Sequence, residues 1–224
     1  MIVEVQAVKV KGILFDMDGT LVNTNDLIMT CFDHATKVCT GKLYPHTEFI
    51  KYYGRPLVEG LDALFPGRGQ EMAQVYRDYQ MEIHDQMVKE FPGMFTTLQE
   101  LQARGLKMAV VTSKFEITAR RALKCFNMEQ FFTGVIGCGQ VEKHKPDPEP
   151  SQKGLALLDL PGSDCLCVGD SPYDLISGKA AGCSTAAVNY SLFDPEQLLK
   201  LGKPDYIINK PCDLVSLIDR LNIN

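Results

Sequence analysis

Six short apolar runs recur along the 224-residue chain, and stretches of helical periodicity separate them. They are VKGILF (10–15), LKMAVVT (106–112), GVIGC (134–138), CLCVG (165–169), STAAVNY (184–190) and DYIIN (205–209). Runs this short and this continuously apolar read as strands buried on both faces. Between them Phe115, Ala119, Ala122 and Phe126 form one helical stripe, and Leu214, Leu217, Ile218 and Leu221 another. Gly105 follows a helix carrying Met94, Leu98 and Leu101, where a C-terminal capping glycine is expected. Strands alternating with helices predict an α/β fold, a doubly wound and mostly parallel sheet covered on both faces.

One region breaks the rhythm. Between Asn23 and Glu90 the pattern is helical throughout. Ile28, Cys31, Phe32, Ala35 and Cys39 share one face, and Met72, Val75, Tyr76, Tyr79 and Ile83 another. The glycine-containing breaks GKLYP and FPGRG divide these segments. The expected organisation is a core of residues 1–22 and 92–224 with a small all-helical domain, 23–91, inserted into it. Asn23-Thr24 and Phe91-Pro92-Gly93 are the expected hinges. The first residues, MIVEVQAVKVKG, read straight into the first strand without the basic flank of a secretory signal.

Composition narrows the partners. A net charge of -5 argues against a protein that binds nucleic-acid backbones. No apolar run approaches the ~20 residues of a membrane helix. Eight cysteines without paired zinc spacing read as reduced core thiols, Cys165 and Cys167 on one strand face among them, in a cytoplasmic protein.

Ligands of open parallel sheets bind beyond the carboxyl ends of the strands. The first strand ends in FDMDGT, with Asp16 and Asp18. The second ends in VVTSK, with Thr112, Ser113 and Lys114. The third is followed by VEKHKPDPEP, with Lys145, and the fourth by VGDSPYD, with Asp170 and Asp174. Asp16, Asp18 and Asp170 gathered together would repel strongly unless neutralised. A hard divalent cation such as magnesium, bound through one or two carboxylates and a substrate phosphate, meets that need. The phosphate requires donors, which Thr112, Lys145 and the amides around Met17-Asp18 can supply. SKFE (113–116) fits a capping box, which starts a helix just after Thr112 and aims free amides at an anion. Asp147-Pro148 reads as an N-cap followed by the first helical residue. With phosphorus held there, one carboxylate can attack it to form an aspartyl-phosphate, while another moves the proton.

In that order, DMDGT, VTS, KPDP and GDSPYD resemble the four motifs of haloacid-dehalogenase-like phosphohydrolases. The likeness spans nearly the whole chain, and the helical insertion resembles their C1-type cap on a Rossmann-like core. It implies Asp16 as nucleophile and magnesium ligand, and Asp18 as acid/base with its backbone carbonyl on the metal. Asp170 would be a further ligand, with Asp174 and Ser171 behind it, and Thr112 and Lys145 would contact the phosphoryl group. Met17, Gly19, Thr20, Ser113, Lys114 and Arg55 complete the expected substrate contacts, Arg55 from the turn YYGRPL. HDQMVKEF, KPDPEPSQKGLALL and KPDYIIN are most similar to phosphoglycolate-phosphatase-like proteins and their bacterial pyrophosphatase branch. SPYD departs from that branch, where a histidine-rich version is expected. The expected activity is magnesium-dependent hydrolysis of a small phosphorylated metabolite or of pyrophosphate. A β-phosphoglucomutase-like phosphotransferase, disfavoured by NDLIMT at the cap, and a phospho-accepting switch module are the alternatives.

Overall fold

The computed structural model describes residues 9–52 and 54–223. Its strands are β1 (Gly12–Phe15), β2 (Val22–Asn23), β3 (Lys89–Glu90), β4 (Lys107–Phe115), β5 (Val135–Cys138), β6 (Cys165–Gly169), β7 (Ser184–Val188) and β8 (Tyr206–Ile208). The helices are α1 (Asn25–Thr40), α2 (His46–Ile50), α3 (Leu57–Leu64), α4 (Gly69–Met87) and α5 (Met94–Ala103). After these come α6 (Glu116–Cys125), α7 (Glu149–Leu158), α8 (Pro172–Ala180), α9 (Pro195–Gly202) and α10 (Asp213–Asn222).

All six apolar runs enter one parallel sheet, in the order β5-β4-β1-β6-β7-β8. The register sets Ile13 opposite Met108 and Leu166. Side chains alternate along each strand, which divides the core in two. Ile13, Phe15, Val110 and Val168 pack with Leu98, Ala119 and Leu217 on one face. Leu14, Val111, Cys165 and Cys167 pack with Leu155 and Leu158 of α7 on the other. From β1 the chain moves outward to β4 and β5, then returns to β6 on the opposite side. That reversal leaves a crevice at the carboxyl ends of β1, β4 and β6.

Helices α1 to α4 fill the stretch between β2 and β3. Their cluster includes Leu27, Phe32, Phe49, Leu61, Met72 and Tyr76, with Phe32 stacked on Phe49 at 4.5 Å between ring centres. The expectation of helix alone from 23 to 90 is corrected at the base of this segment. β2 and β3 pair antiparallel there, Val22 opposite Glu90 and Asn23 opposite Lys89. Two-residue strands are too short to show alternation in a sequence.

Two helix starts also differ from expectation. The strand from Lys107 continues to Phe115, which pairs with Cys138 after a register shift, so α6 begins at Glu116 and SKFE forms no capping box. Ser113 instead donates its hydroxyl to the carbonyl of Gly54, 2.7 Å away. Asp147 does accept from a backbone amide, that of Glu149 at 3.0 Å, but α7 starts at Glu149, one residue later than read. Gly105 stands where expected, past the end of α5, at φ +78.

All eight cysteines are unbridged, but Cys125 and Cys212 are exposed, which corrects the assignment of all of them to the core. Among the described residues no helix is long and apolar enough to cross a membrane. The N-terminal reading from Met1 to Val8 lies outside the described residues.

Candidate active site

Because β1 lies between β4 and β6, their ends bring Asp16, Thr112 and Asp170 side by side. The chain leaves β1 through a tight turn in which the amide of Gly19 donates to the carbonyl of Val22 at 2.9 Å. Gly19 has φ +77, and a Cβ there would collide with the Asp170 carboxylate and the Ser191 hydroxyl. Both constraints demand glycine.

Lys145 enters from the loop between β5 and α7 and is almost fully buried. Its ammonium donates to Asp16 Oδ1 at 2.9 Å, to Asp174 Oδ1 at 2.5 Å and to the carbonyl of Val111 at 2.7 Å. Asp174 Oδ2 accepts from the Ser171 amide at 3.0 Å and its hydroxyl at 2.6 Å, closing a capping box on α8. Both Asp174 oxygens are therefore committed. Asp170 Oδ2 accepts from Ser191 at 2.5 Å. Asp18 Oδ1 accepts from Lys114 Nζ at 2.6 Å and from Thr24 Oγ1 at 2.7 Å.

Asp16, Asp170 and Asp174 present oxygens within 4.8 Å of one another. Burial, then the Asp174 charge, pushes Asp16 up to about 7, against the pull of Lys145. Burial and the charges of Asp16 and Asp174 push Asp170 well above the usual carboxylate range. Burial by itself would lower the Lys145 pKa, but Asp16 and Asp174 outweigh it and hold it above the ordinary lysine value. One ammonium against three carboxylates leaves uncompensated negative charge in a buried place. A cluster of hard oxygens with excess charge fits a hard divalent cation. With Asp174 committed to Lys145 and Ser171, Asp16 and Asp170 are the carboxylates able to hold it.

These groups open onto a cavity of about 620 Å³ between the sheet and the helical segment. Asp16, Asp18, Thr112, Ser113, Lys114 and Asp170 line it from the sheet side, and Arg55 from the helical side. The turn carrying Arg55 rests directly on the sheet end. Gly54, at φ +84, is so close to α8 that a Cβ would strike the Ser171 hydroxyl and crowd the Tyr173 ring. Arg55 Nε donates to the Tyr173 hydroxyl at 2.9 Å, and its guanidinium lies over that ring at 5.1 Å.

Of the expected site residues, the structure gathers Asp16, Asp18, Thr112, Ser113, Lys114, Lys145, Asp170, Ser171, Asp174 and Arg55 around this crevice. It does not bring the Thr20 side chain there, and Met17, whose expected contribution is its backbone amide, turns its side chain inward. Met17 is buried in the main core, and Thr20 is fully buried with its hydroxyl unpartnered. The Gly19 amide is committed to its own turn. Sequence reasoning missed Thr24, Gly54, Tyr173 and Ser191. Ser191 had a signal, since it follows a strand end as the other site residues do. Thr24 lay in the expected hinge, six residues from its partner, with no pattern to mark it.

The profile of the haloacid dehalogenase-like hydrolase family matches residues 13–188. The chain is 36% identical to pyrophosphatase PpaX of Bacillus mycoides over 96% of this chain and 99% of that one. It is 37% identical to pyrophosphatase PpaX of Anoxybacillus flavithermus, over 93% and 97%. The fold superposes on a hydrolase of the haloacid dehalogenase-like family from Streptococcus pneumoniae with a TM-score of 0.83, 24% identity, and 93% and 98% coverage. A predicted phosphoglycolate phosphatase from Haemophilus somnus gives 0.84, at 23% identity over 93% and 98%. Sheet order, strand-end carboxylates and a sequence match across most of the chain converge: this protein belongs to the haloacid dehalogenase-like hydrolases.

Proposed function

We propose that the protein is a magnesium-dependent phosphohydrolase acting through an aspartyl-phosphate on Asp16, with residues 23–91 as a cap domain over the site. The observation that carries this reading is the environment of Asp16. Its Oδ1 is held by Lys145 while the residue still borders the cavity, which leaves Oδ2 to attack. Pyrophosphatase relatives at 36–37% identity support phosphoester or phosphoanhydride cleavage as the reaction class.

The steps follow from the residues. Asp16 Oδ2 forms a bond to phosphorus as the bond to the leaving oxygen breaks. Asp18, its Oδ1 fixed by Lys114 and Thr24, gives a proton to that oxygen from Oδ2. Water then attacks phosphorus as its bond to the Asp16 oxygen breaks, Asp18 takes the proton of that water, and free Asp16 and inorganic phosphate result. Proton transfer of this kind contributes about 100- to 10,000-fold in rate. Thr112 lies at the cavity wall to donate to the phosphoryl oxygens, and Lys145 keeps Asp16 oriented. Asp16, Asp170 and the Asp18 carbonyl would hold magnesium, whose charge offsets that of the carboxylates and the phosphoryl group.

The test is Asp16→Asn, assayed for phosphate release with magnesium against p-nitrophenyl phosphate, phosphoglycolate and pyrophosphate. Release should fall to background while the circular dichroism spectrum is kept. Turnover near that of the unchanged enzyme would refute the mechanism.

A further inference from the structure

The cavity above Asp16 is larger than a phosphoryl group needs, and much of its wall is apolar. At about 620 Å³ it falls within the roughly 300–1,000 Å³ of pockets that enclose drug-sized organic ligands. Besides its charged groups it is walled by Leu57 and Val58 at the start of α3, Met81 on α4, and Phe115 and Ile117 where β4 gives way to α6. Met81, Phe115 and Ile117 are 43%, 40% and 73% exposed, so none of them is buried in a core. Large apolar side chains gathered on an open wall mark a surface that something apolar covers. The volume is not that of a lifted lid, because the turn at Gly54 and Arg55 already rests on Ser113, Ser171 and Tyr173.

The charges of the wall point the same way. Its lysine and arginines are Arg55, Arg77 and Lys114, and its carboxylates are Asp16, Asp18, Glu59 and Asp170. Lys114 is paired with a carboxylate, and the two arginines rest against aromatic residues. Lys114 sits on Asp18 at 2.6 Å, Arg55 on the Tyr173 hydroxyl at 2.9 Å, and Arg77 over the face of Phe115 at 4.7 Å. A second phosphate group placed among Val58, Met81, Phe115 and Ile117 would lose its water against apolar side chains, which is unfavourable for a multiply charged anion. A hydrocarbon body would instead replace water on Met81, Phe115 and Ile117.

Resting on the phosphohydrolase reading, we infer that the preferred substrate is an organic phosphate monoester whose leaving group carries a hydrocarbon body. That body lies among Val58, Met81, Phe115 and Ile117, and inorganic pyrophosphate is the poorer substrate.

A homologous series tests this. Along the n-alkyl phosphates from methyl to pentyl the leaving alcohols are alike in reactivity, so a trend in kcat/KM reports burial of the chain. The n-alkyl phosphonates of equal length cannot be hydrolysed, and calorimetry with magnesium present reads their affinity without any turnover. Both should rise about fourfold per added methylene until the wall is covered. Ile117→Asp, at a solvent-facing position, should flatten the rise, and Val58→Asp should do the same from the helical side. A rise in phosphonate affinity supports the inference even if no ester is cleaved, in which case the hydrolase reading alone fails. Affinity that is absent or independent of chain length overturns it. So does a kcat/KM for pyrophosphate above that of every alkyl ester.

Discussion

Replacing Lys145 by methionine removes the ammonium that Asp16 and Asp174 share, at 2.9 and 2.5 Å, and leaves a side chain of similar length. Both carboxylates and Lys145 are largely shielded from solvent. Deleting one partner of a buried ion pair costs about 3–5 kcal/mol, because the other charge stays buried without compensation. For a chain of this size about 1 kcal/mol corresponds to roughly 2–4 °C in Tm, so the variant should melt roughly 6–20 °C lower. The assay is differential scanning calorimetry with a metal chelator present. The deficit should depend on pH in a particular direction. Asp16 titrates near 7 in the fold against an ordinary value of 3.8, so between those values the folded chain holds a proton that the unfolded chain lacks. Stability therefore rises as pH falls through that window. Without Lys145, which pulls Asp16 downward, the carboxylate binds its proton still more readily. The deficit should be largest near pH 8 and shrink towards pH 5. Added magnesium should raise the Tm of the variant more than that of the unchanged protein, since it meets more uncompensated charge. A variant melting within about 2 °C of the parent at pH 8, or a deficit that widens in acid, would refute this account of the cluster.

Other perturbations test the neighbouring contacts. Gly54→Ala forces a side chain into the left-handed region and against Ser171 and Tyr173; it should cost about 1–2 kcal/mol and raise KM more than it lowers kcat, as steady-state kinetics would reveal. An unchanged KM would detach that turn from substrate binding. Ser191→Ala removes the donor to Asp170 and should weaken magnesium binding by roughly 10- to 100-fold in a calorimetric titration, whereas an unaltered affinity would leave Ser191 without a role at the metal.

Much of the fold was legible because its signals are local. Each apolar run became a strand of the sheet, and the stripes on α1, α4 and α10 pack inward as their periodicity requires. The strand-end motifs were legible for a related reason. A residue just past the carboxyl end of a central strand borders the crevice, so Asp16 and Asp170 could be placed by position alone, and Thr112 lies just past the part of β4 that pairs with β1. Asp174 is instructive. It could be read as a helix cap or as support for a metal site; one of its oxygens accepts from Ser171 at the start of α8 and the other from Lys145.

What failed was local reading where a distant partner intervenes. SKFE has the composition of a capping box, yet Ser113 turns its hydroxyl to Gly54, 59 residues away, and the strand runs on. Thr20 belongs to the motif, but the turn buries it.

The chain's own order of residues determined a parallel α/β sheet, a helical insertion after the first strand, and the carboxylates, hydroxyl and amine that meet at the strand ends. Those follow from periodicity and from the offset of polar residues beyond apolar runs, which are properties of neighbours in sequence. Tertiary structure alone decided which oxygen of Asp16 stays open, which carboxylate is committed to Lys145, and how apolar the wall facing the site is. Such features depend on groups from separate elements meeting at distances of 2.5–3 Å, and spacing along a chain carries no record of that meeting.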